Sequence, residues 1–93
     1  MADEQQAEKS AESDVKKLRQ QAKAGSLRAQ FLLGVALANG EERNPKEAAK
    51  WYRKAAKRDF PPAMNNLAAL LAAGAFGKPD PKEAVKWYRQ AAE

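Results

Sequence analysis

The sequence of 93 residues predicts an all-α protein built from stacked helical hairpins, and three observations lead to this fold class. The phrase KEAAKWYRKAA at residues 46–56 returns as KEAVKWYRQAA at residues 82–92, with nine of eleven positions identical. An apolar segment that ends at a glycine precedes each phrase, and a proline-containing turn joins the segment to the phrase. Tandem units of this length usually stack, because one helical hairpin cannot bury its own apolar face and a neighbouring copy supplies the missing surface.

Each unit is expected to open with an apolar first helix. In the first unit this helix should cover Leu27–Asn39, because Gly40 suits the position just after a helix C-terminus. In the second unit it should cover about Pro62–Ala73, with the proline in the first turn, where its missing N–H costs nothing. The two helices correspond at a spacing of 34 residues, as Ala29, Leu33, Leu37 and Gly40 do to Ala63, Leu67, Leu71 and Gly74.

The second helix of each unit starts with a strong N-terminal signal. Asn44-Pro45-Lys46-Glu47 and Asp80-Pro81-Lys82-Glu83 each supply an N-cap residue, a proline in the first turn and a glutamate three residues after the cap. This pattern predicts a reciprocal capping box at both helix starts. The apolar residues that follow recur at spacings of three and four, so they share one face. The predicted structural signature comprises Leu33, Gly34, Gly40, Trp51, Tyr52, Ala55, Ala56, Leu67, Gly74, Ala91 and Ala92.

A degenerate half-unit is expected before the first full unit. Val15, Leu18 and Ala22 occupy the positions of Ala49, Tyr52 and Ala56, whereas Lys17 stands where a tryptophan would be. A terminal unit needs a more polar outer side, so this segment should cap the stack. The predicted organisation is a polar tail or frayed helix extension at 1–13, a capping helix at 14–25, a first repeat at 26–59 and a second repeat at 60–93.

The net charge of +5 is unevenly distributed, since residues 1–14 carry five acids against one lysine. The basic remainder admits an anionic partner such as nucleic acid. However, the basic residues are predicted on the outer faces of the second helices, and the aromatic residues on the buried side, where they cannot stack on bases. The sequence therefore favours a solvated lysine face over a nucleic-acid interface.

The residue types argue against an enzyme. The chain has no Cys and no His, which removes thiolate chemistry, disulfides and the commonest metal ligands and general bases. Ser13-Asp14-Val15-Lys16 matches an S-x-x-K nucleophile motif without its companion boxes, and Glu41–Glu42 have no partner acid. We predict no catalytic, cofactor or metal site and no membrane partner; the absence of Cys and of a signal peptide favours the cytoplasm.

The order of these residues resembles the Sel-one-like repeat, a relative of the tetratricopeptide repeat. The resemblance covers about Gly25–Glu93 and rests on A-x-x-x-L…L-x-x-G followed, after a loop, by P-x-E-A-x-K-W-Y-R-x-A-A. Two glycines of the family pattern are kept once and replaced once: Gly34 has Ala68 as its counterpart, and Gly25 has Asp59. The resemblance implies a right-handed α-α superhelix that acts as a non-enzymatic scaffold for protein–protein contacts.

The same resemblance implies that the first helices line a concave, partner-binding face. An amide side chain in such a groove can pair with a peptide backbone through both of its polar groups. The alternative is that Phe31 and Val35 simply belong to the core, because Leu27 to Ala38 is apolar nearly all round. The predicted concave-face residues are Arg28, Phe31, Val35, Asn39, Asn65, Asn66 and Ala69.

A second interaction surface is expected on the last helix, where no following helix in the sequence covers Trp87 and Tyr88. An uncovered aromatic face marks an interaction surface, so we expect another protein or a second copy of the chain to bind there. The alternative is that Trp87 packs adequately on Leu67 and Leu71. The other functional alternative is a designed or truncated repeat module without a native partner.

Overall fold

The computed structural model describes residues 14–40 and 42–93, which form five helices and no strand. The described part of the first helix, α1, covers residues 14–23. The other four are α2 Leu27–Asn39, α3 Pro45–Lys57, α4 Pro61–Ala73 and α5 Pro81–Ala92. From α2 onward each helix packs against the next one in the chain. The predicted tail at residues 1–13, including Ser13, and Glu41 lie outside the described residues.

The prediction of an all-α stack of hairpins is confirmed, with one shift at a helix start. Helix α4 begins at Pro61, one residue earlier than expected, with Phe60 as its N-cap residue and no side-chain cap hydrogen bond. Both prolines therefore fit in the first turn, where neither removes an intrahelical hydrogen bond. Gly74 ends α4 in the left-handed conformation, with φ of 65°, which favours glycine at this position.

The starts of α3 and α5 carry only half of the predicted capping box. The side chains of Asn44 and Asp80 accept hydrogen bonds from the backbone N–H groups of Glu47 and Glu83, both at 3.1 Å. The N–H of Asn44 donates instead to the carbonyl of Leu37 at 2.7 Å, and that of Asp80 to the carbonyl of Leu71 at 2.8 Å. The prediction of a reciprocal capping box was therefore wrong. The backbone N–H of each cap residue donates to a carbonyl of the preceding helix, so neither glutamate carboxylate is needed at the cap.

One apolar core runs through all five helices. Its largest fully buried side chains are Tyr52, Leu33, Met64 and Leu67. The ring of Tyr52 lies directly over Gly34, where an added Cβ would come within 2.6 Å of two ring carbons. The second unit has Ala68 at the position of this glycine, and its equivalent ring, Tyr88, is 43% exposed. Glycine is thus needed only in the unit whose tyrosine is fully enclosed.

The N-terminal helix presents different chemistry on its two sides. Val15 and Leu18 are half-buried and pack against the core, and Ala22 is buried. Lys17, Gln21 and Asp14, which occupy the positions of Trp51, Ala55 and Ala48, are exposed. The outer side of α1 is consequently polar where an internal helix of the stack is apolar.

Gln30 is a buried polar residue at the junction of α1 and α2. Its side-chain N–H donates to the carbonyl of Ala22 at 3.2 Å, whereas its Oε1 has no hydrogen-bond partner within the described part of the chain. The equivalent residue of the second unit is Met64, which is fully buried. A buried acceptor without a partner costs about 1–3 kcal/mol.

We expect Gln30→Met to raise the free energy of unfolding by about 1 kcal/mol, because it removes the unpaired acceptor and loses one ordinary hydrogen bond. The carbonyl of Ala22 keeps a partner, the N–H of Gly25, at 3.1 Å. Urea denaturation followed by circular dichroism measures the change, with Met64→Gln as the reverse substitution and expected to destabilise. A lower midpoint for Gln30→Met would contradict the assignment of a net cost to this amide.

Candidate functional site

The residues predicted to line the concave face lie on α2 and at the start and middle of α4. Arg28, Asn39, Asn65 and Ala69 are exposed, and the other three, Phe31, Val35 and Asn66, are half-buried. Phe31 and Val35 also pack against the core, so each contributes one side to packing and one to the surface. The surface on α2 and α4 therefore combines exposed amide and guanidinium groups with half-exposed apolar ones.

An aromatic cluster connects the α2 and α4 parts of this surface. The ring centroid of Phe31 lies 6.0 Å from that of Tyr52 and 5.3 Å from that of Phe60, the latter in an edge-to-face arrangement. Asn66 donates a hydrogen bond of 3.4 Å to the Tyr52 hydroxyl. Burial raises the pKa of the Tyr52 phenol, and the hydrogen bond from Asn66 partly opposes that rise. The phenol is therefore neutral at physiological pH, and one of the two predicted asparagines is engaged in linking helices.

Two ion pairs connect successive second helices at equivalent positions. Arg19 of α1 donates to Glu47 of α3 at 2.6 Å, and Arg53 of α3 pairs in the same way with Glu83 of α5. These glutamates are the two that the caps leave free. The indole N–H of Trp87 also donates to the Glu83 carboxylate at 3.3 Å. These ion pairs were not predicted, although the spacing of 34 residues between Arg19 and Arg53 indicates an equivalent role for the two arginines.

The hydrogen bond from Arg53 is the main reason that the pKa of the Glu83 carboxyl lies below its ordinary value of 4.5. A carboxyl whose pKa falls on folding contributes stability above its unfolded pKa and loses that contribution as the pH drops through its folded pKa. We expect Arg53→Ala to lower the free energy of unfolding by about 0.5–1 kcal/mol at pH 7, because the pair is partly exposed to solvent.

The difference in the free energy of unfolding between Arg53→Ala and the natural chain should shrink as the pH falls below about 4.5, the ordinary pKa of the carboxyl, and should disappear once the carboxyl is protonated in the folded natural chain as well. Urea midpoints at pH 7 and pH 3 measure it. Lys50→Ala is the control, since Lys50 lies on the same helix and forms no ion pair with any described residue. A difference that stayed constant with pH would show that Arg53 acts through packing alone.

The outward face of α5 exposes apolar residues whose counterparts in α3 are buried. Val85 is 45% and Tyr88 43% exposed, whereas the equivalent Ala49 and Tyr52 are 5% and 1% exposed. Ala92 is also exposed, and its counterpart Ala56 is buried. We call Val85, Tyr88 and Ala92 the α5 face. Of the two residues predicted for the open end, Tyr88 belongs to this face, and Trp87 is half-buried against the core.

The two full hairpins, their matched caps and their ion pairs define a repeated unit that can be compared with known families. The Sel1 repeat family model matches residues 27–60 and 61–93. The chain belongs to the Sel1 repeat family. Sel1 repeats generally mediate protein–protein interaction and are generally non-enzymatic.

A solved Sel1 repeat protein from Oxalobacter formigenes is similar to this chain, with 36% sequence identity and a TM-score of 0.72. The similarity covers 84% of this chain and 33% of that protein, so the chain spans about a third of its length. No curated protein matches the chain at a significant level. The all-α Sel1 repeat solenoid predicted from the sequence is therefore confirmed at the level of family and fold.

The argument against a nucleic-acid interface placed the aromatic residues on the buried side, and this is wrong for two of them. Phe76 is 36% exposed, and Tyr88, which was also expected on the uncovered side of the last helix, is 43% exposed. Phe76 lies in the longer loop before α5 and, with basic residues of α3, lines a shallow groove of about 430 Å³.

No described helix is long and apolar enough to cross a membrane.

Proposed function

We propose that this Sel1 repeat chain is a non-enzymatic scaffold that binds a protein or peptide through the surface of α2 and α4. The observation that carries the proposal is the aromatic cluster, which keeps Phe31 half-exposed between Tyr52 and Phe60. Because packing already fixes the Phe31 side chain before binding, little of its conformational entropy is lost when a partner contacts it.

Polar groups around this cluster supply the means to orient an extended partner. Arg28, Asn39 and Asn65 are exposed and form no side-chain hydrogen bond with the other described residues. The amide of Asn65 can donate to a backbone carbonyl and accept from a backbone N–H, as peptide recognition requires. Apolar contact at Phe31 and Val35 with polar contact at the edge is the composition of a peptide-binding surface.

A peptide library displayed on phage and selected against the 93-residue chain tests the proposal. The double variant Arg28→Ala with Asn65→Ala should weaken binding of a selected peptide about thirtyfold, since each of the two lost hydrogen bonds contributes about 1 kcal/mol. Both positions are exposed, so the helical circular dichroism signal should persist. Lys82→Ala with Lys86→Ala removes two exposed cations from α5 and serves as the matched control. Equal weakening by both double variants would refute the assignment of the binding surface to α2 and α4.

The α5 face is the second candidate surface, supported by the exposure of Val85 and Tyr88. Exposed apolar side chains grouped on one helix face mark a place where another molecule is bound. The candidates are a different protein and a second copy of this chain.

A further inference from the structure

The α5 face has two internal precedents, which show what kind of surface covers it. Val15, Leu18 and Ala22 of α1 pack into the core beside α2, and Ala49, Tyr52 and Ala56 of α3 are buried where α3 packs against α4. In both cases the apolar first helix of the following hairpin takes part in the cover, and α2 of the same hairpin also encloses Tyr52. The tyrosine hydroxyl of α3 also receives a hydrogen bond from an amide of that helix, Asn66.

The second helix of each following hairpin contributes a charge as well. Arg19 and Arg53 pair with Glu47 and Glu83, which stand three residues after the cap of the next second helix. Arg89 is the third arginine of this series, 36 residues after Arg53, and is exposed without an ion pair among the described residues. The α5 face and Arg89 together therefore present apolar side chains, a phenol and a guanidinium group. The counterparts of this guanidinium group, Arg19 and Arg53, each pair with a carboxylate.

We propose that the α5 face, together with Arg89, is a docking site for a helical hairpin of a partner protein. The hairpin has an apolar first helix and a carboxylate in the first turn of its second helix. The occupant is thus a unit of this same chemistry, and Arg89 selects it by charge. This inference rests on the proposed role of the α5 face as a binding surface and is independent of the surface on α2 and α4.

A second copy of the chain fits this site poorly. The described outer side of its N-terminal helix carries Asp14, Lys17 and Gln21, all exposed, instead of an apolar first helix. Its α4 is already packed between α3 and α5. Two α5 faces placed together would bring Lys86 and Arg89 of one copy near the same cations of the other, and like charges disfavour such contact.

The test uses an extended chain in which a second copy of residues 57–93 follows Ala92, which restores the natural α3–α4 connection after α5. Covalent linkage makes docking intramolecular, so a weak contact is still measurable. Hydrogen exchange of the α5 backbone amides is the readout. We expect these amides to exchange about tenfold or more slowly than in the natural chain, because docking adds to the free energy of local opening.

The charge requirement is tested by substitutions in the extended chain. Arg89→Ala, and a Glu→Gln change at the appended copy of Glu83, should each speed this exchange about two- to fivefold, as expected for one exposed ion pair. The two changes together should have no greater effect than either alone. Lys86→Ala is the matched control and should change nothing, since its counterpart Lys50 forms no ion pair within the described helices.

Three results would overturn the proposal: no added protection of α5, equal effects of Arg89→Ala and Lys86→Ala, or self-association of the natural chain in sedimentation through Tyr88. None of these results bears on peptide binding at α2 and α4. If no peptide bound at α2 and α4 while the extended chain still showed protected α5 amides, only the proposed function of the surface on α2 and α4 would be refuted.

Discussion

Replacing Tyr52 with alanine is expected to lower the free energy of unfolding by about 3–5 kcal/mol, the range for truncation of a large buried aromatic residue. Tyr52 is 1% exposed and is the largest fully enclosed side chain among the residues that the structure describes. Its ring fills the space between Gly34 of α2 and Asn66 of α4, and it supports Phe31. Truncation would therefore open a cavity where both hairpins meet, and a small repeat protein can lose most of its stability in this way.

The chain supplies its own control for this substitution. Tyr88 occupies the same position of the repeated phrase but is 43% exposed, so Tyr88→Ala removes the same atoms from a half-solvated site. We expect a loss of about 1 kcal/mol or less there, as for most surface changes. Urea denaturation of both variants, with the slope checked for constancy, gives the comparison. Similar losses at the two positions would show that the two phrases are equally packed, contrary to the structure.

Gly34→Ala is expected to destabilise the protein by about 1–2 kcal/mol, although alanine is the better helix former. The added methyl group would come within 2.6 Å of the Tyr52 ring, which has no free space into which to retreat. Overpacking of a filled core costs about 1–3 kcal/mol. The gain in helix propensity, about 1 kcal/mol, offsets only part of that cost.

A double-mutant cycle isolates the clash from other effects of the glycine. In the Tyr52→Ala background the ring is gone, so Gly34→Ala should become neutral or stabilising. Gly77→Ala is a second control, because a methyl group there would meet nothing within 4 Å. If Gly34→Ala were equally costly with and without the ring, close approach of Tyr52 could not be the reason for glycine at this position.

The repeated sequence made the architecture predictable, whereas contacts between different helices could not be predicted from it. The predicted helix bounds followed from caps, prolines and glycines that act locally, so both ends of α2 and the starts of α3 and α5 agree with expectation. The capping box was wrong because the partner of the Asn44 N–H lies on another helix, at Leu37. The sequence marked Glu47 as a cap residue, whereas its carboxylate acts between hairpins with Arg19.

The candidate site was predictable only in part, for a similar reason. Helical spacing identified which residues share a side of α2, but it could not separate the half of Phe31 that packs on Tyr52 from the half that meets solvent. Trp87 and Tyr88 are adjacent and equally apolar in sequence. They point about 100° apart around the helix, so their exposures depend on which side of α5 packs against α4, and the local pattern does not specify that side.

The hydrogen bonds from Asn44 to Leu37 and from Asp80 to Leu71 have a practical consequence for engineering. They join equivalent residues even though the second connection is two residues longer than the first. One backbone hydrogen bond thus holds the two ends of each connection together, whatever the length of the loop between them. Epitope tags, fluorophore-labelling sites or whole inserted domains should be tolerated at the tip of the longer connection, near Gly77, with the helices on either side keeping their alignment.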